Sequence, residues 1–151
     1  DISISAHTGA RKHWDETGFL SDLQEKLSGD SFDAVKQLFN FSKGVADEIS
    51  FGTGSERSSF SLKINRISNK SIITVRSDGS LSINTGWLSD NEKTEKFRDG
   101  LVAELNKIDS IEILDHIGRY PKFKIDVWKN KVSEICKAIE LSLEMIDENN
   151  H

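Results

Sequence analysis

The 151-residue chain contains only one cysteine, one proline and one methionine. Because Cys136 has no second cysteine to pair with, the sequence excludes a disulfide-rich secreted scaffold and fits a reducing cytoplasm. No apolar run approaches the roughly 20 residues of a membrane span. Eight phenylalanines against one proline are typical of a folded domain rather than of a disordered chain. We therefore expect a cytoplasmic domain without a membrane partner.

The first residue is Asp1, and the only methionine is Met145. We therefore interpret the chain as part of a longer protein, with removal or disorder of its first residues as the alternative. The length corresponds to one domain. Residues 1–13 show no clean periodicity and are interpreted as an arm or linker, which leaves 14–148 as a single domain.

The formal net charge is −5, which argues against nonspecific coating of nucleic acid. This average conceals one net-positive segment, because residues 51–91 contain five basic and three acidic residues. The local excess points to an anionic partner for that segment.

Apolar residues recur at helical spacing from Trp14 to Leu27, which predicts a first helix that ends at Ser28-Gly29. A second helix is predicted to begin with Asp30 or Ser31 as its N-cap. Its expected buried face consists of Phe32, Val35, Leu38, Phe39 and Ser42.

Apolar and polar residues alternate from Ile49 onward, which predicts β-strands. The expected strands cover 49–51, 59–66, 72–76 and 81–84. Between the last two, Asp78-Gly79 is a strong hairpin signal.

Two further helices are predicted after the strands. A capping box from Ser89 to Glu92 begins the first, and residues 109–124 after it are irregular. One continuous helix then carries an apolar stripe from Trp128 to Ile146. The order ααβββ(β)αα separates helices from strands. It predicts an α+β fold, with an antiparallel meander of three to four strands and helices packed on one face.

The glycine-rich segment between Gly52 and Ser59 is the first candidate site. Gly52 and Gly54 would let the backbone approach a phosphate closely, and Arg57 would pair with it. The alternative is a glycine-rich β-turn, because the Gly-Lys-Ser/Thr ending of a P-loop is missing and the segment leads into a strand.

The polar side of the predicted strands is the second candidate site. Its members are Ser59, Ser61, Lys63, Asn65, Ile72, Thr74, Arg76, Ser82 and Asn84. Such a face would receive a nucleic-acid backbone or an acidic partner, although it lacks the exposed aromatic residues on which bases stack. The alternative is the ordinary solvated face of a one-sided sheet. We assign the nucleic-acid or anion contacts to four cations, Arg57, Lys63, Arg66 and Arg76.

No sequence pattern indicates catalysis. No two of the four histidines are four residues apart, and none lies near Cys136 in the sequence, which argues against a structural zinc site. The Gly-x-Ser-x-Gly motif of serine hydrolases is absent as well. Metal-dependent nucleases have an acidic residue followed by a strand with a lysine, and this chain has Asp47 and Glu48 before Lys63. The position two before Lys63 is Ser61, however, where a second carboxylate is needed to hold the metal ion. We predict no catalytic residue, metal or cofactor, and we interpret Cys136 as a buried, inert thiol.

The aromatic residues outside the strands have two interpretations. Trp14, Trp87 and Trp128 each join an apolar stripe and are interpreted as core or core-edge anchors. The run from Arg119 to Lys124 is basic and aromatic. There are two interpretations of this run. Either it contacts an anion or a partner, or it is a loop whose lysine side chains extend over the core.

Several residues and motifs follow one another in a recognisable order. They are Trp14, Phe19 and Leu23; 49–54, Ser59 and Phe60; 77–79 and Ile83; Leu105, Asn106 and Ile108; and Tyr120-Pro121. Over residues 7–146 this order resembles an uncharacterised bacterial domain that lies beside endonuclease-like or restriction-type modules. The resemblance implies an accessory or recognition module in a larger defence protein, and it implies no catalytic residue.

The sequence therefore predicts a non-enzymatic accessory or nucleic-acid-binding module of a larger, nuclease- or defence-type protein. Its expected partner is nucleic acid, a covalently linked catalytic domain or another protein. A protein–protein interaction or oligomerisation module is the alternative, acting through the acidic helices or the sheet edge. A metal-dependent, nuclease-like enzyme is the third possibility.

Overall fold

A computed structural model describes residues 15–52 and 58–148 of the chain. The helices are α1 (Glu16–Lys26), α2 (Gly29–Val45), α3 (Glu92–Leu105), α4 (Ile125–Trp128) and α5 (Val132–Glu148). The strands are β1 (Glu48–Phe51), β2 (Ser59–Lys63), β3 (Ile73–Arg76), β4 (Leu81–Ile83) and β5 (Lys122–Phe123). The arm predicted over 1–13 and the anchor Trp14 lie outside the described residues.

The five strands form one sheet in the order β1-β2-β3-β4-β5, and every neighbouring pair is antiparallel. The predicted α+β class with an antiparallel meander is therefore confirmed. The additional strand, β5, lies in the region predicted to be irregular. It has only two residues and directly follows Pro121, so it is too short to show the alternation by which strands are recognised.

The beginnings of two helices differ from the prediction. Asp30 and Ser31 lie inside the first turn of α2, because the helix already begins at Gly29. The capping box from Ser89 to Glu92 is also wrong. Asn91 stands directly before α3, and its side-chain oxygen accepts a 2.9 Å hydrogen bond from the Thr94 amide.

The last predicted helix is divided into α4 and α5. Trp128 at the end of α4 is fully buried, and its indole Nε1 donates a 2.8 Å hydrogen bond to the Gly79 carbonyl. Gly79 has a φ of +91°, and a Cβ there would collide with Ile125. The chain turns over 129–131, so α4 packs beneath the β3–β4 hairpin while α5 packs against α3.

The helices reach the sheet through its apolar side. Phe19 of α1 and Phe39 of α2 pack on Phe60 of β2, with ring centroids 5.4 and 5.0 Å away. The apolar residues that alternate with the polar side of the predicted strands form the inner face of the sheet. All seven are fully buried: Phe60, Leu62, Ile64, Ile73, Val75, Leu81 and Ile83. Ile72, predicted for the outer face, is fully buried as well. It precedes the first residue of β3, where strand alternation does not yet apply.

A buried carboxylate fixes α1 to the sheet. Asp22 is 6% exposed and accepts hydrogen bonds from the Ser58 amide (2.9 Å), the Ser58 hydroxyl (2.8 Å) and Lys26. Burial by itself raises the pKa of this carboxyl, but the hydrogen bond from Lys26, the nearby Ser77 hydroxyl and the hydrogen bonds from Ser58 outweigh it and lower the pKa to about 2. The Ser77 hydroxyl lowers the pKa because it lies near the carboxylate. It is buried and has no partner with hydrogen-bond geometry among the described residues.

Replacing the buried carboxylate with an amide, Asp22→Asn, is expected to destabilise the fold by about 2 kcal/mol at pH 7. The folded-state pKa lies below the ordinary value of 3.8, so the stabilisation is complete above that value and is lost as the pH falls toward 2. The stability difference between variant and wild type should therefore shrink to about half at pH 3. Urea denaturation of both proteins at pH 7 and pH 3 measures this difference in the free energy of unfolding.

The exposed Asp109 provides the matched control, since Asp109→Asn should change the free energy of unfolding by less than about 0.5 kcal/mol. Equal stability of Asp22→Asn and wild type at pH 7 would contradict this account of the buried carboxylate.

Candidate functional site

The side of the sheet opposite the helices carries a row of hydroxyl groups. The strand register aligns one residue from each strand along this row: Ser50, Ser61, Thr74, Ser82 and Lys122. Four strand spacings make the row roughly 19 Å long. We call this side the outer face.

The hydroxyl groups in the middle of the outer face bond to one another. The Ser61 and Thr74 hydroxyl oxygens lie 2.8 Å apart, and the Asn84 amide donates to Thr74 Oγ1 over 3.0 Å. These bonds satisfy polar side chains that water reaches only partly. They also fix the side chains in place, so the centre of the outer face is a pre-organised polar surface.

Two cations flank Ser82 on this face. Arg76 of β3 donates from Nη1 to the Ser82 hydroxyl over 2.9 Å, and Lys122 of β5 stands directly opposite Ser82. Among the described residues, neither cation has a carboxylate within ion-pair distance. One Arg76 donor is used by Ser82, which orients the guanidinium and leaves other N–H groups for a ligand.

An exposed aromatic pair borders these cations. Trp87 is 43% exposed and Tyr120 is 47% exposed, and their rings meet edge to face with centroids 5.6 Å apart. Continued by two residues, the β4–β5 register places Tyr120 opposite Asn84, on the outer face. Of the interpretation of Trp87 as a core or core-edge anchor, the placement in the core is therefore wrong. The expectation of an outer face without exposed aromatic residues is wrong as well.

The backbone near β4 holds this pair in place. The Ile83 amide donates to the Pro121 carbonyl over 2.8 Å, and the Thr85 hydroxyl donates to the Arg119 carbonyl over 2.7 Å. Gly86 lies beneath the Tyr120 ring, where a Cβ would collide with ring atom Cζ. We call the resulting cluster the outer-face patch; it consists of Arg76, Ser82, Asn84, Trp87, Tyr120 and Lys122.

A charged network fixes the loop that leads to Tyr120. The largely buried Arg98 donates to Asp99 over 2.9 Å and to the Leu88 carbonyl over 3.2 Å. His116 Nε2 lies 2.7 Å from the same Asp99 carboxylate. Hydrogen bonds from Arg98, and then from His116, lower the pKa of Asp99 in spite of its partial burial. The loop is thereby joined to α3 four residues before Tyr120.

Of the four cations predicted from the sequence, the three that the structure describes do not form one cluster. Arg57 lies outside the described residues. Arg66 lies in a turn and makes two hydrogen bonds to Asp147 of α5, of 2.9 and 3.0 Å. Lys63 lies on β2 with its Nζ 3.9 Å from a Glu48 carboxylate oxygen. Of the three described cations, only Arg76 belongs to the outer-face patch.

Two local predictions near these residues need correction. The strand predicted to reach Arg66 ends at Lys63, because the amides of Ile67 and Ser68 bond back to the Ile64 carbonyl and form a turn. In the glycine-rich segment, the Gly52 amide donates to the Ser59 carbonyl over 3.1 Å, which extends the β1–β2 ladder. Gly54 lies outside the described residues.

Sequence analysis did not assign Lys122, Tyr120 or Trp87 to the site. The run from Arg119 to Lys124 did carry a signal, since it is both basic and aromatic. Within it, Tyr120 and Lys122 are two positions apart and so face the same side of an extended chain.

The acids considered for a metal site have other roles. Asp47 Oδ2 accepts a 2.7 Å hydrogen bond from the Asn65 amide, and Glu48 pairs with Lys63. Within 15–52 and 58–148, no three His, Cys, Asp or Glu side chains are grouped so that they would hold a metal ion. Over the same residues, no helix has the length and apolar character needed to cross a bilayer.

Comparison with known proteins does not assign the chain to a family. No family model matches the chain, and no match was found among curated proteins or solved structures. Function is therefore inferred from the placement of the residues themselves. Three features bear on it: a polar sheet face opposite the side on which α1 and α2 pack, two cations without carboxylate partners among the described residues, and an exposed aromatic pair.

Cys136 on α5 is half-buried beside the core. Burial, together with the nearby Glu140 carboxylate, raises the pKa of its thiol to about 11. At pH 8 very little thiolate is present, so alkylation by iodoacetamide should be at least tenfold slower than for a free cysteine of ordinary pKa.

Mass spectrometry of the alkylated protein over time measures this rate. Unfolding in concentrated urea serves as the internal control, because it removes both causes of the shift and should restore the ordinary rate. An equal rate in the native and unfolded protein would contradict the assignment of an unreactive thiol.

Proposed function

We propose that this domain is a non-enzymatic, nucleic-acid-binding module of a larger cytoplasmic protein, and that the outer-face patch binds the phosphate backbone. The observation that carries the proposal is the pair of cations, Arg76 and Lys122, on either side of Ser82. Arginine and lysine side chains are usual contacts to phosphate oxygens. Ser82 is only 4% exposed, and its part is to orient the Arg76 guanidinium. Two cations that no described carboxylate neutralises are a suitable place for an anionic chain.

The distribution of charge supports a localised contact. The whole chain has a net charge of −5, so it does not attract polyanions over its entire surface. Other cations are paired with acids, as Arg66 is with Asp147 and Lys70 is with Asp90. Five described lysines elsewhere also lack such a partner, so the patch differs from them in holding two cations beside one hydroxyl group: Lys36, Lys93, Lys124, Lys131 and Lys137.

The resemblance to a domain beside endonuclease-like modules agrees with this role. We propose that the module positions a covalently linked catalytic neighbour on its nucleic acid, as an accessory domain of a defence-type protein. A module that only positions its neighbour needs no catalytic residue of its own.

A protein–protein interaction module is the second candidate, and one specific observation favours it. Leu114 and Ile117 are 83% and 66% exposed in the loop between α3 and β5. Exposed apolar side chains in a loop held by the network of Asp99 and His116 would suit a protein partner. These residues lie outside the outer-face patch, so the two candidates are separable by mutation.

Removing both patch cations, Arg76→Ala with Lys122→Ala, is expected to weaken nucleic-acid binding at least tenfold. It should also flatten the slope of log affinity against log salt concentration by about one unit for each lost phosphate contact. Fluorescence anisotropy with labelled oligonucleotides, titrated at low and at physiological salt, measures both quantities.

The control variant, Lys96→Ala with Lys137→Ala, removes the same charge from exposed positions on α3 and α5. It should leave both the affinity and the salt dependence nearly unchanged. Equal weakening by the two double variants would show that only overall charge matters and would overturn the assignment of the patch. Absence of binding by the wild type at low salt would overturn the proposed function itself.

A further inference from the structure

We infer that the nucleic acid bound here is single-stranded, with one unpaired base stacked on the Trp87–Tyr120 pair. This inference rests on the proposed function, since it takes the same patch as the surface that binds phosphate. It adds the physical state of the ligand and gives the aromatic pair a role that phosphate binding does not need.

The first observation is the exposure of two aromatic rings that the fold does not need in its core. Trp87 and Tyr120 are both more than two-fifths exposed, and neither belongs to the hydrophobic core. Large aromatic side chains are ordinarily buried because they carry much apolar surface. Two that remain together in solvent, edge to face, offer a surface on which the flat face of a base stacks.

The second observation is the distance between the rings and the cations. Tyr120 and Lys122 lie two residues apart on one side of the chain, which separates their Cα atoms by roughly 6.6 Å. Lys122 in turn stands opposite Ser82, to which Arg76 donates. A strand whose phosphates contact Arg76 and Lys122 therefore brings its next base to the aromatic pair.

The shape of the outer face argues against a duplex. The major groove of B-DNA is about 12 Å wide and admits one helix or a two-stranded ribbon. The row of aligned residues, four hydroxyl side chains and Lys122, crosses five strands and is roughly 19 Å long, so the face does not enter that groove. The bases of a duplex are also stacked on one another, which leaves no base face for Trp87 to contact.

The hydrogen bonds of the outer face further predict little preference for base sequence. The hydroxyls of Ser61 and Thr74 bond to each other, and Thr74 also accepts from the Asn84 amide, so these side chains have few remaining donors with which to read a base edge. Stacking accepts any base, because every base has a flat π-face. The ligand class is therefore single-stranded DNA or RNA of mixed sequence.

The experiment uses three fluorescein-labelled probes of equal length, namely oligo-dT, oligo-U and a mixed-sequence DNA duplex. Their affinities are measured by anisotropy for the wild type, Trp87→Leu, Trp87→Phe and Gly86→Ala. We expect the wild type to bind the single strands at least tenfold more tightly than the duplex. Trp87→Leu should reduce single-strand affinity by about tenfold and leave the salt dependence unchanged, since it removes stacking and no charge.

Two variants separate stacking from simple loss of structure. Trp87→Phe keeps an aromatic ring and should restore most of the affinity. Gly86→Ala keeps both rings but forces Tyr120 to move. It should weaken binding of the single strands and leave binding of the duplex unchanged. Thermal melting should be nearly the same for all the Trp87 variants, because the indole lies outside the hydrophobic core.

The outcomes distinguish this inference from the proposed function. Equal affinity for duplex and single strands, with no effect of Trp87→Leu, would overturn the inference; the proposed function would survive if the patch cations were still needed. No binding to any probe would overturn the proposed function, and the inference with it. Tight binding of oligo-dT, oligo-U or both would support a single-stranded ligand, and the ratio of the two would identify DNA or RNA as its source.

Discussion

Every other feature of the structure depends on how the inner face of the sheet is buried. Phe60 of β2 packs against Phe19 of α1 and Phe39 of α2, and the apolar residues of β3 and β4 continue the same surface. Because side chains alternate along a strand, burying this set places the polar set on the opposite side. The outer face is therefore a direct consequence of core formation, and its serines and threonines are aligned by the same register that aligns the core.

Polar contacts over long sequence distances hold this arrangement in position. The Asp22 carboxylate joins α1 to the start of β2, and the Trp128 indole joins α4 to the β3–β4 turn. Asp99 joins α3 to the loop before β5 through His116. The Asp22 and Trp128 contacts satisfy polar groups away from bulk water, so losing one partner there costs more than losing an exposed contact would. The Asp99–His116 contact is more exposed and joins α3 to the loop that leads to Tyr120.

The outer-face patch illustrates how a modest site is assembled on an acidic protein. Its cations come from β3 and β5, and its aromatic residues come from the turn after β4 and the segment before β5. No single stretch of sequence contains the whole patch. β5 alone brings Lys122 beside Ser82, 40 positions earlier in the chain. The shortest strand in the sheet is therefore needed to assemble the patch.

The amino-acid sequence by itself determined the fold class, the inner face of the sheet and the stripes of the long helices. These are local properties, because a period of two or of 3.6 residues records which side of an element is buried. Only the tertiary structure decided that Ile72 is buried, that Trp87 is exposed, that Arg66 pairs with Asp147 and that a fifth strand exists. These outcomes depend on which distant residues meet, and a local pattern of polarity carries no information about such partners.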